Sequence, residues 1–167
     1  NGSSTLTLSG TQAQINAALA SISYQGNADF NGADTLTVLS TDTNGATDSD
    51  AVAITVTSIN DGPMNTVPGA QSVNEDTALS ISGISVNDVD GNLSTTQLTV
   101  TNGALNVSLA GGAAISAGAN GSSTLTLSGT QAQINAALAS ISYQGNADFN
   151  GADTLTVLST DANGSTD

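Results

Sequence analysis

Apolar and polar residues alternate in several short stretches of this chain, the period of a half-buried β-strand. Ser4–Leu8 and Thr35–Leu39 set Leu and Val against Ser and Thr, and Ser123–Leu127 and Thr154–Leu158 repeat both patterns. Ala51–Thr57 alternates in the same way. Gln97–Thr101 and Ala104–Leu109 flank Asn102-Gly103, a pair that tolerates positive φ and predicts a tight hairpin. Gln71–Val73 and Ala78–Ile81 read as two further short strands. One segment departs from the rhythm. In Gly10–Leu19, Thr11 stands at a capping position and Ile15, Leu19 and Ile22 fall near helical spacing, which predicts a short helix that recurs at Thr130–Ala139.

These recurrences belong to one long internal repeat. Residues 1–48 return as 120–167 with two differences, Thr43 against Ala162 and Ala46 against Ser165, so the period is 119 residues. That is the size of a domain rather than of a solenoid unit. Ser58-Ile59-Asn60-Asp61-Gly62-Pro63 punctuates the chain, since Pro63 cannot donate to a strand ladder. The expected organisation is therefore residues 1–60 as the C-terminal half of one domain. Residues 61–167 are the next domain without its last strand, the counterpart of Ala51–Ser58. On this reading the 167 residues are a window on a longer repetitive protein, and 1–60 packs against a preceding repeat or a neighbouring copy of the chain. About seven short strands per period, with one short helix, predict an all-β fold of tandem immunoglobulin-like or cadherin-like β-sandwich domains.

Composition narrows the chemistry. The chain has 14 acidic residues, thirteen Asp and Glu75, and no Lys, Arg or His, for a net charge of −14. Without cationic side chains it has no means of neutralising phosphates, which argues against nucleic-acid and anionic-membrane partners. Cys is absent, which excludes disulfides, zinc–thiolate sites and thiol nucleophiles. No apolar run reaches 18 residues, so no membrane insertion is expected. With neither His nor Cys nor Lys, the chain reads as non-enzymatic; the paired acids Asp88 and Asp90 lie in one Gly-flanked loop and suit metal ligation better than a glycosidase dyad.

The acids gather where strands end. Asp, Asn and Gly are ordinary turn formers, but a surface built only of acids calls for a cation from outside, and carboxylate, amide and carbonyl oxygens together suit calcium. The candidate ligands are Asp29, Asp34, Asp42, Asn60, Asp61, Glu75, Asp76, Asp88, Asp90, Asp148, Asp153 and Asp161. Counting strands up and down assigns Asp88, Asp90 and the Thr160–Asp167 turn to one end of a domain. Glu75, Asp76, Asp148 and Asp153 fall at the other. Stacked end to end, Asp29 and Asp34 of one domain then approach Asn60-Asp61 and Asp88/Asp90 of the next. Asn-x-Ser patterns such as Asn92-Leu93-Ser94 are expected by chance in a chain with 17 Asn and 45 Ser and Thr.

Asn74-Glu75-Asp76-Thr77, Asp88-Val89-Asp90-Gly91, Phe149-Asn150-Gly151-Ala152-Asp153-Thr154 and the Ser58–Pro63 linker occur in that order. Together they resemble the cadherin-like tandem repeats of bacterial giant surface adhesins. The resemblance implies that Glu75, Asp148/Asp153, Asn60-Asp61 and Asp88/Asp90 hold interdomain calcium, and that the chain is an extracellular fibre, filament or adhesin extender stiffened by it. It departs from the family in lacking an Asp-Arg-Glu motif and in having Gly62 where Ala is usual. The alternative function is a carbohydrate-binding or other adhesive module taking surface glycans, although Tyr24, Phe30, Tyr143 and Phe149 read as core residues rather than a stacking surface.

Overall fold

The computed structural model describes residues 2–167. It is mostly β, with two short helices and several small antiparallel sheets. The chain divides into two compact units, Asn1–Ser58 and Ile59–Asp167. Among the described residues no helix is long and apolar enough to cross a membrane.

The first unit holds α1 (Gln12–Leu19) and a hairpin of β1 (Gly32–Thr41) and β2 (Thr47–Val56). Thr11 caps α1 through a capping box: its hydroxyl accepts from the Gln14 amide, and the Gln14 side chain accepts from the Thr11 amide. The hairpin pairs ten residues a side, from Gly32 opposite Val56 to Thr41 opposite Thr47. Asp42 shapes its tip, its Oδ1 accepting from the amides of Asn44 and Ala46 at 2.8 Å each.

The second unit carries the other strands: β3 (Met64–Thr66), β4 (Leu79–Ser80), β5 (Ser85–Asn87), β6 (Leu93–Thr99), β7 (Gly103–Asn106), β8 (Ala114–Gly118), β9 (Thr124–Ser128), β10 (Ser142–Gly145) and β11 (Thr156–Asp161). It also carries α2 (Gln131–Leu138). One sheet has the order β11-β6-β9-β8, a second β4-β10-β7, and β3 pairs with β5. Leu98, Leu105, Leu125, Leu127, Ile134 and Leu138 are fully enclosed between these elements. The helix contributes to this core with Ile134, Ala137 and Leu138, and its Asn135 side chain pairs with the backbone N–H and C=O of Val86 as a strand would.

Three expectations fail here. The alternation at Ser4–Leu8 forms no strand, although its copy is β9. Between β6 and β8 that sequence finds ladder partners on both sides, whereas the first unit offers none, and an extended segment without a ladder leaves its amides to water. Asn102-Gly103 does not close a hairpin either. β6 pairs with β9 and β11, while β7 leaves for the other sheet and pairs with β10. The turn is a crossing point because Asp153 accepts from the Thr101 and Asn102 amides at 3.1 and 2.8 Å, and Gly103 lies against the Tyr143 ring. Gln71–Val73 also forms no strand.

A candidate cation site at one end of the second unit

Three separate segments meet at one end of the second unit: Asn60-Asp61 ahead of β3, the loop Asp88–Asn92 between β5 and β6, and the turn Asp161–Ser165 after β11. Two of them are shaped by their own acids. Asp161 Oδ1 accepts from the amides of Asn163 and Ser165 at 2.9 and 2.7 Å, the arrangement Asp42 makes in the first unit. Asp88 Oδ1 accepts from the Asp90 amide at 3.1 Å, and Gly91 follows with φ +69°. The segments are then tied together. The Asp61 amide donates to Asp90 Oδ2 at 2.7 Å, the Ala162 amide to the Asn92 carbonyl at 2.9 Å, and the Asp88 amide to Gln131 Oε1 at 2.8 Å, which anchors the loop to α2.

At the centre two amide side chains bridge two carboxylates that are almost wholly buried, Asp161 at 3% and Asp88 at 4% exposure. Asn60 Nδ2 donates to Asp161 Oδ2 at 2.7 Å and to Ser165 Oγ at 3.1 Å. Asn60 Oδ1 accepts from Asn92 Nδ2 at 2.8 Å and from Asn163 Nδ2. Asn92 Oδ1 is thereby turned toward Asp88, 3.0 and 3.1 Å from its two carboxylate oxygens. Rotating the Asn92 amide would satisfy Asp88 but would set the Asn92 oxygen 2.8 Å from Asn60 Oδ1. The relay Asp161–Asn60–Asn92–Asp88 has three gaps and only two amide groups to donate across them. With both carboxylates ionised, one pair of oxygens is left without a hydrogen between them, at a position removed from solvent where such a contact is costly. The sequence contains no Lys, Arg or His that could place a positive charge there.

The remaining candidate ligands of the second unit lie elsewhere within it, and those of the first unit are described by themselves. Glu75 and Asp76 meet Asp148 and Asn150 on a different loop cluster: the Asp148 amide donates to Asp76 Oδ1 at 3.2 Å and Asn150 Nδ2 to Glu75 Oε2 at 3.4 Å. An open cleft of about 500 Å³ lies beside them, lined by Glu75, Asp76, Tyr143, Phe149 and Asn150 among others. Asp76 and Asp148, with Asp29 in the first unit, have φ of +57 to +59°, a backbone that short polar side chains tolerate. Asp153 and its copy Asp34 are occupied by backbone and tyrosine donors. Asp34 accepts from Tyr24 Oη at 2.8 Å and the Thr35 amide at 2.7 Å; Asp153 accepts from Tyr143 Oη at 3.0 Å as well as the turn amides. Among the described residues no group of three or more acidic side chains is arranged to hold a metal ion. Asn92, Asn163 and Gln131 were absent from the sequence-based ligand set; the one available signal was the density of Asn beside the acids.

Three of these carboxyls titrate low: Asp34, held down by the Thr35 amide and the Tyr24 hydroxyl, together with Asp153 and Asp161. Burial works to raise Asp153, and the amides of Asn102, Thr101 and Thr154 with the Tyr143 hydroxyl outweigh it. The Asn60 side chain holds Asp161 down, against some desolvation and with help from the amides of Ser165, Asn163 and Gly164. Tyr143 is raised by burial and by Asp153. A carboxyl whose folded value lies below its unfolded value stabilises fully above the unfolded range and loses that contribution as pH falls. Urea midpoints are therefore expected to stay level from neutral pH to about 4.5 and to drop below about pH 4, with Asp153→Asn flattening the drop. A midpoint that rises on acidification through that range would contradict this.

A family model described as "Protein GAMETE EXPRESSED 2 domain" matches residues 1–51 and 73–167. No curated protein and no solved structure matches the chain. The family match overturns the resemblance to bacterial adhesin repeats, and with it the function as a bacterial adhesin extender and the bacterial, biofilm and cadherin-like descriptions. The physical reason lies in the motifs. Asn-Glu-Asp-Thr and Asn-Gly-Ala-Asp-Thr sit at turns where Asp76 and Asp148 take positive φ and Asp153 caps amides, so they report turn chemistry that unrelated β proteins share rather than descent. The matched residues make up most of the sequence, and the chain belongs to the Protein GAMETE EXPRESSED 2 domain family.

Proposed function

We propose that this chain is a non-catalytic β-sandwich module of its family whose Asn60/Asp88/Asp161 end takes up a divalent cation, calcium by its chemistry. The observation that carries the reading is the three-gap, two-amide relay between Asp161 and Asp88, which with both carboxylates ionised leaves one oxygen pair without a hydrogen between them. The donors fit the group. Asp88, Asn92 and Asn60 present hard oxygens, with Asp90 and Asp61 beside them, and calcium accepts six to eight such ligands with water making up the number. Bound there, the ion would neutralise the facing oxygens and join the three segments that enter this end. The sandwich reading is supported by two sheets sharing one apolar core. The absence of His, Cys and Lys supports a non-enzymatic role. Placement outside the cell fits an oxygen-only site of modest charge, since extracellular modules bind calcium at about 10⁻⁴–10⁻³ M.

The test is a pair of melts of the full chain, with EGTA and with millimolar calcium. Calcium is expected to raise the midpoint, because a ligand bound only by the folded state stabilises it, by about 2.7 kcal/mol at a hundred times Kd. Asp88→Asn supplies the missing hydrogen. In EGTA this variant is expected to melt above the parent, and to show no calcium response. A parent indifferent to calcium, or a variant that still responds, would overturn the proposal.

A further inference from the structure

The same 48 residues occur twice in this molecule in two different states of burial. In the second unit Leu125 is fully buried and Ile141 is 1% exposed; their copies in the first unit, Leu6 and Ile22, are 49% and 44% exposed. The helix repeats its capping box in both places, yet α2 buries Ile134, Ala137 and Leu138 while α1 buries no residue. The local sequence is the same, so the difference lies in what covers it. In the second unit the cover is residues 61–119, which supply β6 and β8 to flank β9, β4 and β7 to flank β10, and β6 to pair with β11.

From this we infer that the open face of residues 4–39 is a docking surface for an N-terminal half-repeat of this family, a polypeptide with the strand pattern of residues 61–119. The inference goes beyond the cation reading and does not depend on it. The second unit gives the seating by register. Leu125 lies opposite Leu98 and Gly118, so Leu6 takes those places on the incoming half; Tyr143 lies between Leu79 and Leu105, so Tyr24 does the same. The first unit brings one thing that 120–167 lacks, the full β1–β2 hairpin already folded. A whole second copy of this chain is a poor occupant, because its residues 61–119 are already covered by its own 120–167. Exchanging one C-terminal half for a near-identical one buries no further apolar surface.

The experiment uses the full chain and, as probe, a separately made polypeptide of residues 61–119. A one-to-one complex is expected by calorimetry, with slowed amide exchange at residues 4–8 and 22–26. Internal pairing in the second unit is protected from the probe by its high effective concentration. Leu6→Asp in the full chain is expected to weaken probe binding by about tenfold or more while leaving the unfolding midpoint of the second unit unchanged. Because the probe by itself exposes strand edges, a second arm fuses a copy of 61–119 ahead of residue 1. In that chain, exchange at residues 4–26 is expected to slow to the level of residues 123–145. Probe binding unaffected by Leu6→Asp, self-association of the full chain that the probe does not compete away, or a fusion whose residues 4–26 still exchange rapidly would each overturn the inference.

Discussion

Leu125→Ala is expected to destabilise the second unit by about 2–5 kcal/mol, and the same substitution at its copy, Leu6→Ala, by no more than about 0.5 kcal/mol. Leu125 is fully buried in β9, the strand that has partners on both edges, and its side chain belongs to the principal core. Truncation there removes the transfer energy of three carbons and leaves a cavity that flanking β6 and β8 cannot close without breaking their ladders. Leu6 is half exposed and lies in no strand, so its loss creates no cavity. With native domains stable by about 5–15 kcal/mol, the first change is large and the second nearly silent. Urea denaturation of both variants in the full chain measures the difference. Equal costs at the two positions would mean that the first unit is covered as the second is.

Gly103→Ala is expected to cost about 1–3 kcal/mol or more, through overpacking rather than through lost conformational freedom. A Cβ at Gly103 would press on the Tyr143 ring and come within 2.5 Å of the Gln144 carbonyl oxygen, where β7 and β10 run side by side. Neither neighbour is free to yield. Tyr143 Oη is held by Asp153 at 3.0 Å, and the Gln144 backbone is part of the β10 ladder. The contrast is Gly69, where an added Cβ would meet nothing within 4 Å and the backbone is not left-handed. Thermal melts of Gly103→Ala and Gly103→Ser should therefore rank by side-chain size. Indifference to size would show that the β7–β10 contact relaxes easily.

Much of the local structure was legible. The Thr-x-x-Gln capping box closes within four residues, and the helix forms in both copies regardless of what surrounds it. The turns shaped by Asp42 and Asp161 close over four residues and also form twice. The candidate site was legible only in part. Asp and Asn at strand ends marked where it would be, but the same letters served a different purpose at Asp153, whose oxygens are occupied by backbone amides and a tyrosine hydroxyl. Turn chemistry and cation chemistry draw on the same residue types, and the misassigned family resemblance had the same origin.

The sequence by itself determined the elements whose hydrogen bonds are satisfied by near neighbours: both helices, the turn tips and the repeat of 119 residues. Only the tertiary structure decided which alternating stretches became strands, that Asn102-Gly103 passes between sheets, and that Asn92 completes a relay from Asp161 to Asp88. Leu6 and Leu125 make the reason plain. Their flanking sequences are the same, yet one is half exposed and the other fully buried. A ladder and a dry core are supplied by residues tens of positions away, and a strand or a relay exists only where those residues arrive.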